Sequence, residues 1–160
     1  MKRNIAAALI SVTFIIAGCS SSEDISLASL KENYPEAFAK PIEDSLSENE
    51  QEALGLPEEV PFNVDGVEAT SVENEAEVRY TSTDADELTV TTIYNPENNL
   101  QEADTRMTLE SGAIAGVTEG EASVSFEWYD DEDQVIYQVI YAPMEDEERL
   151  EDGLDIANSI

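Results

Sequence analysis

The chain has 160 residues, of which 37 are acidic and seven are basic, so its formal net charge is −30 at pH 7. A surface of this charge repels phosphate backbones and anionic lipid headgroups, and no nucleic-acid partner is expected. The chain contains no histidine, which excludes imidazole metal sites and serine–histidine catalysis. Composition therefore predicts a protein without catalytic activity and without a cofactor.

The acidic residues are spread over the whole chain and are not confined to one tail. This distribution favours adaptation to a saline or alkaline exterior, in which carboxylates keep a protein soluble. Attraction of cations or of a basic partner is the alternative interpretation.

The N-terminus has the three parts of an export signal. Lys2 and Arg3 supply positive charge, residues 5–17 are uncharged and largely apolar, and small residues lead into Cys19. The apolar stretch is shorter than the ~20 residues of a membrane-spanning helix, which favours a signal peptide over a transmembrane anchor. The run Ile-Ala-Gly-Cys that ends at Cys19 resembles the lipobox of bacterial lipoproteins. This resemblance implies that residues 1–18 are a lipoprotein signal peptide and that Cys19 carries the lipid.

Processing of this kind has two consequences for the mature chain. Loss of Lys2 and Arg3 would leave 5 basic and 37 acidic residues, a formal net charge of −32. Cys19 is the only cysteine, so the chain forms no intramolecular disulfide. The predicted location is the outer face of the cell membrane, with the membrane contacted through lipidated Cys19.

Residues 19–41 are predicted to be the lipidated N-terminus and a polar tether, because they begin with serines and acids and contain Pro35 and Pro41. Four apolar residues within the tether recur at helical spacing, so a short helix that interrupts it is the alternative; they are Leu27, Leu30, Tyr34 and Phe38. Residues 42–160 are predicted to form a single domain. It opens with a helix over 42–54 that ends at Gly55.

From about residue 60 the apolar residues recur with a period of two, which is typical of β-strands. Strands are predicted over 77–82 and 88–94, and a weaker strand over 107–117 has glycines that suggest a bulge. Helical spacing returns over about 145–159 and predicts a terminal helix. The predicted fold class is α+β, an antiparallel sheet of five or six strands with this C-terminal helix packed on one face.

Residues 122–142 have the clearest strand pattern and predict a hairpin. If the acidic run 130–133 is its turn, three cross-strand pairs follow, and all six side chains point to one face. The predicted pairs are Val124 with Val139, Phe126 with Tyr137 and Trp128 with Val135. This face is interpreted as core, and the alternative is that its aromatic side chains line a pocket for a lipophilic ligand.

The acidic turn is a weak candidate for a metal site. Asp130, Asp131 and Asp133 offer carboxylate oxygens of the kind that calcium prefers. They lack the alternating spacing of a helix–loop–helix calcium site, so a solvated turn is the favoured interpretation and no metal is predicted.

Features of residues 55–160 resemble a known family. They are the segment Leu56-Pro57 with Val60-Pro61-Phe62, the pair Val78 and Tyr80, the hairpin with Trp128 and Tyr137, and the closing run 154–160. The resemblance is to an uncharacterised C-terminal domain family of Bacillus-type lipoproteins and anti-sigma-like regulators. It implies a Gram-positive cell surface and brings no catalytic residues.

The lipobox and this resemblance together predict a lipid-anchored extracytoplasmic accessory or interaction domain, with a protein partner that the sequence does not identify. The alternative is a lipoprotein that binds a small ligand, either a lipophilic molecule or calcium.

Overall fold

The computed structural model describes residues 25–96, 100–144 and 148–160. The predicted signal peptide, Cys19 and the first residues of the predicted tether lie outside this part of the chain. Within the described residues, no helix has the length and apolar character needed to cross a membrane.

The centre of the fold is one antiparallel sheet of seven strands, where five or six were predicted. Its spatial order is β1-β2-β3-β7-β6-β5-β4. The last strand in the sequence, β7, therefore lies between β3 and β6 and connects strands β1–β3 to strands β4–β6. The strands are β1 Gly66–Val72, β2 Glu75–Thr81, β3 Glu87–Tyr94, β4 Thr105–Thr108, β5 Ile114–Glu119, β6 Val124–Asp130 and β7 Val135–Ala142.

The additional strand comes from the segment 107–117, for which one strand was predicted. This segment is the hairpin of β4 and β5. Gly112 lies in its turn with φ of +89°, a left-handed conformation that glycine adopts without steric cost, and its N–H donates to the carbonyl of Leu109. Gly112 therefore makes a turn, where a bulge within one strand was expected.

One face of the sheet is the core. Alternate residues of the strands point to this inner face and are fully buried, as a period of two requires. Val78, Val90, Val139 and Phe126 form one such row across four neighbouring strands. Burial of each side chain of this size contributes about 1.5–3 kcal/mol.

Four short helical segments cover the inner face beside β1–β3. They are α1 Leu27–Asn33, a π-helical turn Pro35–Ala39, α2 Lys40–Ser45 and α3 Glu48–Glu52. Phe38 and Ile42 within them have no exposed surface. We call these segments the N-terminal helical layer.

The predicted tether over 19–41 is therefore wrong from Ile25 onwards, because Ile25 already belongs to the core. The tether was predicted partly because the segment contains Pro35 and Pro41, but both prolines lie within helical segments. Pro35 stands at the first position of the π-helical turn, where the missing proline N–H has no intrahelical acceptor in any case. Pro41 is the second residue of α2, which continues directly from this turn.

The helix predicted over 42–54 is divided between α2 and α3. The break falls at Leu46, whose backbone is extended. Ser47 then caps α3, since its hydroxyl accepts from the Glu50 N–H while the Glu50 carboxylate accepts from the Ser47 N–H at 2.8 Å. This cap begins a second helix, α3, within the segment that was predicted to be one helix.

The terminal helix predicted over about 145–159 is α4 Arg149–Asn158, and it packs on β6 and β7 as expected. Residues 145–147 lie outside the described part of the chain. The helix buries Gly153, Ile156 and Ala157. A Cβ atom added to Gly153 would lie 2.7 Å from the Phe126 ring, so the absence of a side chain allows the helix to approach the sheet.

The predicted hairpin exists, but its register is wrong by two residues. Trp128 pairs with Tyr137, Phe126 with Val139 and Val124 with Tyr141. The six side chains still point to the inner face, because a shift of two residues preserves the face. The loop consists of residues 131–134, since Asp130 remains in β6 and Gln134 adopts a left-handed φ of 57°.

Candidate functional site: a cleft on the outer face of the sheet

The outer face of the sheet lies opposite the helices. Its side chains alternate with the core residues along each strand and are mostly polar. One row across the central strands consists of Thr91, Gln138 and Glu127, with Gly116 next to Glu127 on β5. A second row places Ile140 between Thr89 and Ser125.

Residues 100–103 form a loop that lies on this outer face, and we call it the crossing loop. The Gln101 N–H donates to one carboxylate oxygen of Glu127, and the Gln138 amide donates to the other. Glu127 thus ties the crossing loop and β7 to β6. Gly116 lets the loop come close, because a Cβ atom at this position would lie 2.8 Å from the Cβ of Ala103.

A cleft of about 720 Å³ lies between the crossing loop and strands β5–β7. Three large aliphatic side chains from different elements line it, namely Leu100 at 49% exposure, Ile114 at 61% and Ile140 at 43%. Among the described residues only five large hydrophobic side chains are strongly exposed, and the other two, Val72 and Met144, do not line the cleft. Clustered exposed apolar groups of this kind are characteristic of binding surfaces, whereas scattered ones are not.

Charged groups of both signs accompany the aliphatic side chains. Glu102, Arg106 and Glu127 all line the cleft. Arg106 is exposed and forms no ion pair or hydrogen bond with the described residues. Two other cations, Lys31 and Lys40, form ion pairs with glutamates at 3.2 and 3.7 Å. Arg106 is thus a free donor of five N–H groups beside an apolar surface.

The aromatic residues that sequence analysis considered for a lipophilic pocket are in the core. Phe126 and Trp128 are buried, and the rings of Trp128 and Tyr137 lie 5.5 Å apart. The Tyr137 hydroxyl donates to the carbonyl of Ala53 at 3.0 Å. Burial raises the pKa of Tyr137, and the nearby carboxylate of Asp133 raises it further. These side chains fill the inner face, so the pocket predicted as their alternative role is absent among them.

The acidic turn uses its carboxylates to hold its own backbone. The Asp130 carboxylate accepts the N–H groups of Glu132 and Asp133, both at 2.9 Å. The Asp133 carboxylate shares the single hydrogen of the Tyr137 hydroxyl with the Ala53 carbonyl, at the longer oxygen–oxygen distance of 3.3 Å. Across the described residues, the structure contains no group of three or more Asp, Glu, His or Cys side chains placed to hold a metal ion. Asp130 and Asp133 therefore contribute to the conformation of the turn through the loop N–H groups and the Tyr137 hydroxyl.

A second acidic region surrounds Tyr141 and Asp152. The ring of Phe62 stacks on Tyr141 at 6.3 Å. Burial raises the pKa of Tyr141 to about 12, with a contribution from Asp152. Burial also raises the pKa of Asp152, and repulsion from Glu148 adds to this effect. Repulsion among the local acids thus adds to the effect of burial on both pKa values.

The sequence analysis did not identify the cleft residues, although β7 carried a signal. Ile136 and Ile140 alternate with the inner-face residues of this strand, so β7 is apolar on both faces. The same positions of β6 carry Ser125, Glu127 and Tyr129. A strand that is apolar on its second face indicates either a second covering layer or a binding surface.

Comparisons of this chain with models of protein families, with curated proteins and with solved structures find no match.

Proposed function

We propose that the protein is a lipid-anchored extracytoplasmic interaction domain without catalytic activity, and that the outer-face cleft is its docking surface. The observation that carries this proposal is the clustering of the exposed side chains Leu100, Ile114 and Ile140 around one cleft on the outer face of the sheet. Exposure of these side chains is unfavourable unless another molecule covers them.

Sequence features support the anchor in this proposal. The positive N-terminus, the uncharged segment and the lipobox-like run favour lipidation of Cys19, which lies outside the described residues. The proposed kinship of residues 55–160 with domains of Bacillus-type lipoproteins and anti-sigma-like regulators would place the domain at the outer face of the cell membrane of a Gram-positive bacterium.

The composition supports a role without catalysis. The chain has no histidine, and its single cysteine is the proposed lipid attachment point. In the cleft, both carboxylate oxygens of Glu127 already accept hydrogen bonds. This carboxylate is therefore occupied in positioning the crossing loop, which suits a binding surface better than general acid–base chemistry.

The second candidate function is binding of a small lipophilic molecule in the same cleft. A volume of about 720 Å³ favours it, because small-molecule sites commonly measure ~300–1,000 Å³.

The anchor is tested by the substitution Cys19→Ser in the full-length chain. We expect the variant to remain unprocessed or to leave the membrane fraction, and to incorporate no labelled fatty acid. A Cys19→Ser protein that still fractionates with membranes as a processed form would contradict the lipoprotein assignment.

The docking surface is tested by photo-crosslinking in intact cells. A benzoylphenylalanine side chain replaces Ile140 in the cleft of the lipidated chain or, as the control, Val72 on β1, which is 69% exposed. We expect a discrete crosslinked protein from position 140 alone, and its loss when Ile114→Thr is added. Equal products from both positions would show that the cleft is not the docking surface.

A further inference from the structure

The cleft residues also indicate what kind of partner the cleft accepts, an inference that rests on the proposed function. The aliphatic side chains come from the crossing loop, β5 and β7, so they surround the cleft and leave it recessed. A recess of this size suits a protruding segment with aliphatic side chains better than it suits a flat protein surface.

The charge of the domain determines which protruding segments it attracts. Glu102 and Glu127 outnumber Arg106 in the cleft, and the whole chain carries a formal charge of −30. Both the local and the overall field therefore attract basic groups and repel anionic ones. The same field disfavours a second copy of this chain as the occupant.

The backbone of the crossing loop favours an extended segment. Apart from the Gln101 N–H, the backbone groups of residues 100–103 form no hydrogen bond within the described part of the chain. Residues 100–103 are exposed, so these unpaired backbone groups can pair with an extended backbone. The free guanidinium of Arg106 offers further donors to backbone carbonyls.

We propose that the cleft binds an extended peptide segment of a partner protein in which aliphatic residues alternate with lysine or arginine. Alternation places the aliphatic side chains on one side of the extended segment, against Leu100, Ile114 and Ile140. The basic side chains then project from the opposite side into the negative field of the domain.

The test uses synthetic heptapeptides and isothermal titration at 0.15 M sodium chloride. Every described residue follows Cys19, so a soluble chain that begins at residue 19 with Cys19→Ser retains the whole described fold. The probe is a capped heptapeptide of alternating leucine and lysine. Matched peptides replace either leucine by serine or lysine by glutamate, and decanoate represents the small lipophilic ligand.

Variants locate the binding site. The double variant Ile114→Thr with Ile140→Thr keeps β-branched side chains at exposed strand positions and removes apolar surface. We expect it to weaken binding of the leucine–lysine peptide about tenfold. The control Val72→Thr, at an exposed position outside the cleft, should change affinity by less than about twofold. Thermal melts of all variants verify that each remains folded.

Each alternative result overturns the proposal. Equal binding of the serine–lysine peptide would indicate non-specific attraction to the acidic surface. Equal or tighter binding of the leucine–glutamate peptide or of decanoate would assign the cleft to a different ligand class. No peptide binding, or binding that the double variant leaves unchanged, would remove the cleft as a basic-peptide site. If crosslinking from position 140 still captured a partner in that case, the interaction domain would stand and only this ligand class would fail.

Discussion

The substitution Gly153→Ala tests how closely α4 packs on the sheet, because two effects of opposite sign compete at this position. Alanine is the better helix former by about 1 kcal/mol, which would stabilise an isolated helix. However, the new Cβ atom would lie 2.7 Å from the Phe126 ring and 2.8 Å from a methyl group of Val124. Both neighbours are fully buried and cannot move into solvent.

Overpacking of a buried contact costs about 1–3 kcal/mol, and this exceeds the gain in helix propensity when two neighbours are displaced. We therefore expect Gly153→Ala to lower the free energy of unfolding by about 1–2 kcal/mol. The measurement is a urea titration of the soluble Cys19→Ser chain, in which the midpoint falls and the slope is unchanged.

A double-mutant cycle identifies the neighbour responsible. Val124→Ala removes one of the two clashing groups, at a cost of about 2–3 kcal/mol by itself. In this background Gly153→Ala should destabilise less, with a favourable coupling of about 0.5–2 kcal/mol. If Gly153→Ala stabilises the protein by about 1 kcal/mol and shows no coupling to Val124, α4 does not lie this close to β6 and the reasoning fails.

Three further predictions concern the core, the tyrosines and the surface charge. Trp128→Ala should cost about 3–5 kcal/mol because the indole is buried against Tyr137, and a urea titration showing a loss under about 1 kcal/mol would place the indole at the surface. Tyr141 has an ordinary pKa of 10.0 and a folded pKa of about 12, so its stabilising contribution is present below pH 10 and lost as pH rises toward 12. The urea midpoint should fall as pH rises from 10 to 12, and Tyr141→Phe should reduce this fall. If the midpoint of the Tyr141→Phe variant falls with pH as steeply as that of the unsubstituted chain, the raised pKa of Tyr141 is contradicted. The melting temperature should rise smoothly with sodium chloride, because the Debye length shortens from ~30 Å at 0.01 M to ~3 Å at 1 M. Stabilisation by micromolar calcium at matched ionic strength, abolished by Asp131→Asn or Asp133→Asn, would instead establish a metal site at the acidic turn.

The parts of the fold that local periodicity determines were predictable from sequence. β3 and the β6–β7 hairpin follow from alternation of apolar and polar residues, and the face of every hairpin side chain was predicted correctly. The register of the hairpin was not predicted correctly, because it depends on the conformation of the loop. The Asp130 carboxylate accepts two loop N–H groups and Gln134 takes a left-handed φ, and neither feature is visible in the spacing of acids.

The N-terminal helical layer and the cleft depend on contacts distant in sequence. Leu30 and Phe38 showed helical spacing, but only the presence of β1 and β2 makes their burial favourable. The cleft requires Leu100, Ile114 and Ile140 to meet from three separate elements. The one sign of the cleft in the local sequence was that β7 carries apolar side chains on both faces. This pattern does not predict that a loop crosses the outer face.

Burial of Ile25 has a consequence for where the domain stands. If Cys19 carries the lipid, six residues separate the bilayer from the first core side chain, a reach of at most ~21 Å. Ile25 lies on the helical side of the sheet, whereas the cleft opens on the other side. The domain would therefore stay close to the bilayer with its helical side nearer the membrane and its cleft on the side away from it. A partner would have to approach from the cell exterior, and its encounter with the cleft would not require it to enter the membrane.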